Sequence, residues 1–329
     1  IPHVTAVYDR QRWACIHEDE ISDKLVQEKA FGLFSNAYLA VASKGAESFK
    51  TVFAKYNSTR KEEFQIRTAI LEENGKRYVE KTPLTEKAAG HISSMSEKYE
   101  KLSKVNSGVK VLAPVYSEDK KAVRFEFLKG RTLAEILGEQ IRGKKAPVEA
   151  LKAAIDQVFG QAVLKNEPFA PTDPFKEVFG DSEDVLSLQD TSYEVSNIDG
   201  LFENLMETED GLYCMDYEWV FDFPIPSGFV RYRNLVYFYY KYEGLMEYEN
   251  ATQFLKEFGM DEKLAETYAS MEVAFQTWVH GDGTQGYLGN YKQRLVTLEE
   301  LKAQEKELAQ ARERINQLQA EVEERNIQV

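Results

Sequence analysis

The first third of the chain alternates apolar and polar positions as β-strands do. Residues 49–56 and 64–71 show this alternation, and residues 77–84 repeat it after the dipeptide Asn74-Gly75. An Asn-Gly pair between two such runs favours a tight hairpin, because both residues adopt positive φ readily. We therefore predict three consecutive strands, with the last two joined by a short turn.

A helix and two further strands are predicted to complete this part of the chain. Ile92, Met95, Tyr99 and Leu102 follow one another at steps of three and four, which predicts a helix over residues 85–102. Residues 109–116 and 122–128 are predicted as strands. The predicted order is therefore strand, strand, strand, helix, strand, strand.

Beyond these strands the pattern becomes helical. We predict helices over residues 132–140 and 148–162, and a mostly helical, aromatic-rich segment over residues 227–287. Residues 168–190 are rich in Pro and Asp but contain phenylalanines that require burial, so an ordered loop or irregular helix is expected. Residues 204–215 are predicted as a small hairpin. The fold class is therefore predicted to be α+β, with an antiparallel-sheet N-terminal lobe and a helical C-terminal lobe.

The segment 293–329 has an apolar residue at every seventh position. These residues are Leu301, Leu308, Ile315 and Val322, with Ala311 and Leu318 at two intervening positions and the polar Gln304 and Arg325 at the others. The heptad pattern predicts a C-terminal coiled coil through which the chain forms homo-oligomers. A single amphipathic helix docked on the body is the alternative.

Composition and charge restrict the possible functions. The 329 residues include 41 Lys and Arg against 55 Asp and Glu, and the net charge of -14 disfavours nucleic acid as a partner. Cys15 and Cys214 lie far apart and outside any CxxC motif, so we expect a reducing, cytoplasmic location. No segment has the apolar length of a membrane span. Because Ile1 lies within a plausible strand, residues 1–30 are interpreted as a connector from an upstream region.

The segment 196–218 carries the candidate chemistry. Asn204 follows Asp199 by five residues, and Asp216 comes twelve residues later, after the predicted hairpin. A D-x4-N loop, a hairpin and an Asp in this order are typical of kinase-like phosphotransferases. Asp199 would accept the proton of an attacking hydroxyl, while Asn204 and Asp216 would hold Mg²⁺ against the nucleotide phosphates. For Asp199 alone, the alternative is a helix N-cap or turn residue.

Lys81 lies on the third predicted strand, where an ATP site of this kind requires a lysine. We expect Lys81 to bind the α and β phosphates of ATP. A Glu on the following helix should orient it, and Glu97 or, failing that, Glu100 is predicted to pair with Lys81.

Two further segments are predicted to contact the nucleotide. The fifth strand ends in a hinge, where the backbone of Glu126 and the following Leu128 are expected to meet the adenine. Ser58 and Thr59, between the first two strands, are expected to cap phosphates through hydroxyls and backbone amides. A plain polar hairpin turn is an equal alternative for Ser58 and Thr59.

These motifs resemble the aminoglycoside phosphotransferase and choline kinase branch of the protein-kinase-like fold. FEFLKGRTLAEIL, residues 125–137, is similar to the hinge strand, Gly and Leu-rich helix of that branch, and GLYCMDYEW, residues 211–219, to its metal-binding Asp followed by an aromatic residue and Glu. The resemblance implies an N-terminal lobe over residues 31–130, a helical lobe over residues 131–292, and ATP and Mg as cofactors. By architecture alone, a kinase-like body followed by a coiled coil also resembles bacterial chain-terminating enzymes of surface-polysaccharide synthesis.

The chain departs from this branch at two points. Asn197-Ile198-Asp199 stands where the branch usually has His-Gly-Asp, whose His braces the catalytic loop. The turn over residues 57–60 is no GxGxxG loop. A catalytically inactive, kinase-like scaffold assembled through its coiled coil is therefore the second hypothesis.

The acceptor is expected to be a hydroxyl of a small molecule, and specifically of a carbohydrate. Residues 217–226 contain no Ser or Thr, so the activation segment that a protein kinase needs is not expected here. Aromatic residues close to Asp216 suit stacking on a sugar face, with core packing as the alternative. They are Trp219, Phe221, Phe223 and Phe229.

Overall fold

The computed structural model describes residues 24–25, 27–30, 33, 50–105, 108–117, 122–141, 148–159, 164–193, 195–281 and 298–327. Two compact units divide the chain: Ser43–Thr284 forms one, and Ile1–Ala42 with Gln285–Val329 forms the other. Most of the predicted connector, residues 1–30, lies outside the described residues. The lobe boundaries at residues 30, 130 and 292 stay predictions.

An antiparallel sheet forms the N-terminal part of the larger unit. The first six strands are β1 (Lys50–Tyr56), β2 (Ile66–Glu73), β3 (Lys76–Pro83), β4 (Lys110–Val111), β5 (Val115–Ser117) and β6 (Ala122–Glu126). Five of them pair in the order β1-β2-β3-β6-β5. Asn74 and Gly75 join β2 to β3 with φ of 52° and 75°, so the predicted hairpin is confirmed.

One helix covers this sheet. Helix α1 (Ala89–Val105) buries Ile92, Met95 and Leu102, three of the four apolar residues that predicted it. It begins four residues later than residue 85, because the Thr85 hydroxyl first accepts a hydrogen bond from the Ala88 backbone N–H in a separate turn.

The remaining elements of the larger unit are mostly helical. They are β7 (Arg131–Thr132), α2 (Leu133–Ile141), α3 (Val148–Phe159), β8 (Leu164–Pro168), α4 (Asp173–Phe179), α5 (Glu183–Leu186), β9 (Thr191–Tyr193), β10 (Ser196–Asn197), β11 (Leu205–Thr208), β12 (Gly211–Cys214), β13 (Val220–Phe221), α6 (Ser227–Tyr242), α7 (Ala251–Lys256) and α8 (Glu262–His280). The sheet followed by helices confirms the predicted α+β class. The hairpin predicted over residues 204–215 is the pair β11 and β12.

The strand predicted over residues 109–116 is divided in the structure. Its first part, β4, pairs in parallel with β12, whereas its second part, β5, pairs with β6 in the large sheet. Pro114 lies between them and has no N–H to donate to a ladder, so one continuous strand is not possible there.

The Pro-rich segment 168–190 contains two short helices, α4 and α5. Thr172 caps α4 by accepting a hydrogen bond from the Phe175 N–H, and a Pro stands in its first turn. Phe175, Val178 and Phe179 are buried, as their apolar side chains required.

The described part of the smaller unit includes the helix α9 (Leu298–Ile327), 30 residues long. Its helical state agrees with the predicted coiled coil, whose self-association stays a prediction. Leu308 and Ile315, at successive heptad positions, are 55% and 53% exposed. None of the described helices is both long and apolar enough to cross a membrane.

Negative charges at the apolar heptad positions of α9 are expected to convert an oligomer of the chain into monomers. We expect Leu308→Glu with Ile315→Glu to convert an oligomer into a monomer, because both positions would lie in the apolar seam. Sedimentation velocity of the full chain measures this, with the same change at the helix position Gln310 as the control. A monomeric wild-type chain would contradict the prediction.

Candidate active site

Lys81, on β3, holds its ammonium between two carboxylates. Its side chain is 5% exposed, and Nζ lies 2.7 Å from Asp216 Oδ1 and 2.6 Å from Glu218 Oε1. Burial favours the neutral amine, but the charges of Asp216 and Glu218 outweigh it and raise the pKa of Lys81. The Arg60 guanidinium binds the second oxygen of Glu218, with Nη1 2.6 Å from Oε2. We call Lys81, Asp216, Glu218 and Arg60 the Lys81 cluster.

The predicted pairing of Lys81 with Glu97 or, failing that, Glu100 is wrong, because both are exposed and Lys81 pairs with Asp216 and Glu218 instead. Glu97 lies on the outer face of α1, where its carboxylate is 66% exposed and pairs with Lys101. Glu218, two residues beyond Asp216, takes the place that the prediction gave to a helix residue. The chain therefore positions Lys81 from the segment that follows β12.

The different contacts of Glu218 and Glu97 predict different losses of stability for the two Glu→Gln substitutions. We expect Glu218→Gln to lower the free energy of unfolding by about 3–5 kcal/mol, because the buried Lys81 and the half-buried Arg60 lose their shared carboxylate. Glu97→Gln removes an exposed pair and should cost about 0.5 kcal/mol or less. Urea unfolding of both variants measures the difference, and equal costs would contradict it.

Asp199 lies in a loop between β10 and β11, and its carboxylate contacts the segment after Asp216. Its Oδ2 accepts a hydrogen bond of 2.9 Å from the Trp219 backbone N–H. Burial, with the nearby charge of Asp216, raises the pKa of Asp199 to about 7. A carboxyl with this pKa can accept a proton near neutral pH.

The loop is held without the His that the branch usually has. Asn197 Oδ1 accepts a hydrogen bond of 3.0 Å from the Asp199 N–H. From α6, Arg233 donates to the Ile198 carbonyl, and Asn234 Nδ2 donates to the Gly200 carbonyl at 2.8 Å. Arg233 is itself fixed by Glu272 of α8, with Nε 2.7 Å from Oε2. These side chains hold the catalytic loop, which is the role that the His has in the branch.

Asn204 and Asp216 have the oxygen chemistry that a magnesium site requires. Asn204 Nδ2 donates to the Asp199 carbonyl at 2.9 Å, and the Met215 N–H donates to the Asn204 carbonyl at 2.8 Å, so the backbone connects both candidates to the catalytic loop. Among the described residues, no hydrogen bond engages Asn204 Oδ1 or Asp216 Oδ2. No group of three His, Cys, Asp or Glu in the described chain forms a metal site by itself. Asn204 Oδ1 and Asp216 Oδ2 suit Mg²⁺ that arrives with nucleotide phosphates.

The predicted adenine and phosphate contacts lie at the edges of this site. Glu126 is the last residue of β6 and has an exposed side chain, and Leu128 follows it half-buried. In the turn after β1, the Ser58 carbonyl accepts from Gln65 Nε2 at 3.2 Å. The Thr59 carbonyl lies 3.1 Å from His280 Nδ1 at the end of α8. The turn is thus fastened to the helical lobe, and nucleotide contacts by Glu126, Leu128, Ser58 and Thr59 stay predictions.

Two cations at the site, Arg60 and Lys98, were not predicted from the sequence. Arg60 stands in the turn next to Thr59, and no spacing rule marks it. Lys98 of α1 donates a hydrogen bond of 2.5 Å from Nζ to the Glu218 carbonyl. Its position on the buried face, three residues after Met95, is a signal that helical periodicity could have provided.

No protein-family model matches the chain, and no curated protein matches its sequence. Solved structures similar to it include macrolide 2'-phosphotransferase MphH from Brachybacterium faecium, at 11% identity and a TM-score of 0.34, covering 71% of this chain and 87% of that one. Choline kinase LicA from Streptococcus pneumoniae is similar at 15% identity and a TM-score of 0.35, covering 84% and 94%. Aminoglycoside phosphotransferase APH(4)-Ia, in a ternary complex with ADP and hygromycin B, is similar at 10% identity and a TM-score of 0.42, covering 73% and 90%. The substrates named for these proteins are properties of those proteins.

Proposed function

We propose that the protein is an ATP- and Mg-dependent phosphotransferase that acts on a hydroxyl group of a small molecule. The observation that carries the proposal is a network of hydrogen bonds, continued through the peptide bond between Met215 and Asp216. It connects Lys81 to Asp216, and Asp216 through Met215 and Asn204 to Asp199. This network gathers a phosphate-binding cation, two metal-binding oxygens and a base, which are the parts that phosphoryl transfer needs.

Each residue has a separate role in the proposed reaction. Mg²⁺, when bound by Asn204 and Asp216, supplies positive charge to the phosphates of ATP. Lys81 binds the α and β phosphates, and Asp199 orients the acceptor hydroxyl and accepts its proton. Arg60 and Glu218 hold Lys81 in position.

A small acceptor is favoured over a protein by the segment that follows Asp216. Residues 217–226 lead directly to α6, and β13 within them pairs with β10 beside the catalytic loop. A paired strand this short leaves no segment to present a peptide. Within small molecules we propose a carbohydrate, because Phe221 and Phe223 are half-buried and follow Trp219, whose backbone N–H binds Asp199. Trp219 is 6% and Phe229 0% exposed, so these two pack in the core.

We also propose a cellular setting for this enzyme. A kinase-like unit with a long heptad helix suits a homo-oligomeric enzyme of surface-polysaccharide synthesis. The free thiol of Cys214 is buried, which suits a reducing cytoplasm that also supplies ATP.

Isothermal titration with ATP tests the proposed function directly. We expect saturable binding that requires Mg²⁺, and ADP release that a carbohydrate stimulates. Absence of Mg-ATP binding would reject the phosphotransferase and favour the inactive scaffold assembled through its coiled coil.

A further inference from the structure

A pocket of about 310 Å³ opens at Glu218, in the segment that follows Asp216. It lies where the turn before β2, the first half of α1, strand β13 and the end of α8 meet. The volume lies at the lower end of the range for small-molecule sites. Of its lining residues only Glu218 belongs to the Lys81 cluster, so the pocket is separate from the proposed Mg-ATP contacts.

One wall of the pocket is aromatic. Phe64, Phe221 and Trp278 line it with half-buried rings, and the centroids of Phe64 and Trp278 lie 4.6 Å apart. Trp219 packs behind Phe64 at 5.1 Å. Such a wall offers apolar surface to one face of a ring while leaving the opposite side for polar groups.

His91 of α1 lines the pocket beside Phe64 and has an unpaired nitrogen. The residue is 9% exposed, and among the described residues Nε2 has no hydrogen-bond partner. The nearest carboxylate oxygen, Glu218 Oε2, is 3.7 Å away. Burial lowers the pKa of His91, so the ring is neutral and carries one donor and one acceptor. Because an unsatisfied buried polar atom is costly, a ligand hydroxyl at Nε2 would be stabilised.

Lys98 brings a cation to the same pocket. Its ammonium donates to a backbone carbonyl, and in the part of the chain that the structure describes no carboxylate lies within 4.0 Å of it. The Glu218 carboxylate is already bound by Lys81 and Arg60. An anionic ligand would therefore gain a partner in Lys98, whereas an amine would meet its positive charge.

The pocket also adjoins the reacting groups. The backbone N–H of Trp219, a lining residue, is the donor to Asp199 Oδ2 at 2.9 Å. The Trp219 backbone therefore connects the pocket lining to Asp199, the base that accepts the hydroxyl proton.

We propose that this pocket is the acceptor site and that the acceptor is a sugar carrying a negatively charged group. The proposal rests on the proposed function. The sugar ring packs on the aromatic wall, a hydroxyl pairs with His91, and the anionic group pairs with Lys98. In the reaction another hydroxyl oxygen bonds to the γ-phosphorus as the bond from that phosphorus to the ADP oxygen breaks. ADP leaves with the electron pair, and the hydroxyl proton passes to Asp199.

A panel of acceptors with the full chain and Mg-ATP tests the charge requirement. The probes are glucose, glucuronate, glucose 6-phosphate, choline and an aminoglycoside, with ADP release and ³¹P NMR of the product as readouts. We expect kcat/KM for one or both anionic sugars to exceed that for glucose by about 10- to 100-fold. The carboxylate and phosphate arms show which anion is preferred.

Substitutions then locate the effect in the pocket. Lys98→Met should reduce the preference for the anionic sugar to about twofold or less, and His91→Phe should raise its KM, both with little change in Mg-ATP affinity. Lys104→Met removes an exposed cation from the same helix and should change neither quantity. An equal loss for all acceptors in Lys98→Met would instead place Lys98 at the transferred phosphoryl group and overturn the proposal.

Direct binding measurements distinguish a failure of the proposed acceptor site from a failure of the proposed function. Titration of glucuronate and of glucose 6-phosphate in the presence of Mg-ADP should quench Trp fluorescence saturably in the wild type and less in Trp278→Leu. Intact Mg-ATP binding without binding of either sugar, or with turnover of neutral sugars or amines alone, would overturn the acceptor site and leave the phosphotransferase standing. Failure of Mg-ATP binding would overturn both.

Discussion

Asp199→Asn is expected to lower kcat by about 10²- to 10⁴-fold and to leave the Kd for Mg-ATP within about threefold of the wild type. The Asn side chain retains an oxygen that can accept the hydrogen bond from the Trp219 N–H, so the loop keeps its geometry. It loses the capacity to take the hydroxyl proton. Single-turnover ADP formation and isothermal titration measure the two quantities separately.

The same variant should change the pH profile. Because the pKa of Asp199 is raised to about 7, the ionised base of the wild type increases with pH through that value. At limiting substrates, kcat/KM should therefore fall about tenfold per pH unit below pH 7 and level off above it. The Asn variant should lack this acidic limb. Asp222→Asn, which removes a largely exposed carboxylate paired with Lys101, is the control and should keep it.

A wild-type rate independent of pH between 5 and 8, or a variant with unchanged kcat, would show that Asp199 is not the base. The loop would then have only a structural role, which is the turn-residue alternative for Asp199.

The sheet was predictable because its signals are local. Alternation marks β1 to β3, and the Asn74-Gly75 turn accepts positive φ at both positions. The D-x4-N loop and the Asp after the hairpin were also recognisable, because the hairpin β11–β12 fixes the separation of Asn204 from Asp216. These elements depend on neighbours in sequence.

The partner of Lys81 was missed for a reason that helix geometry explains. At about 100° per residue, Glu97 lies about 200° around α1 from the buried Met95, on the outer face, whereas Lys98 lies about 60° from Met95. Strict use of the helical period would have placed Lys98 and not Glu97 toward the site. It would not have found Glu218, because that contact depends on how the segment after β12 returns to β3.

The side chains that hold the catalytic loop could not be predicted from the sequence either, because they come from an element that is distant along the chain. Arg233 and Asn234 lie on α6, and their hydrogen bonds to Ile198 and Gly200 exist only because α6 packs beneath the loop. An absent His is visible in the sequence, but its replacement by side chains from another element is not. The absence of the His is therefore weak evidence for an inactive scaffold.

Asp216→Asn is expected to remove the Mg²⁺ dependence of ATP binding and to weaken Mg-ATP binding by about 100-fold, or about 2.8 kcal/mol. Asp216 offers the anionic oxygen of the proposed metal site, and its Oδ1 also binds Lys81 at 2.7 Å. The fold should persist, because Glu218 keeps Lys81 paired at 2.6 Å.

Titrations with and without Mg²⁺ measure the effect, and Asp210→Asn at the exposed hairpin tip is the matched control. A second readout does not depend on the metal. The charge of Asp216 contributes to the raised pKa of Asp199, so the Asn variant should lower that pKa without nucleotide, as ¹³C NMR of the Asp199 carboxyl can show. A lowered Asp199 pKa with undiminished Mg-ATP affinity would mean that Asp216 neighbours the base as the structure shows but does not hold the metal.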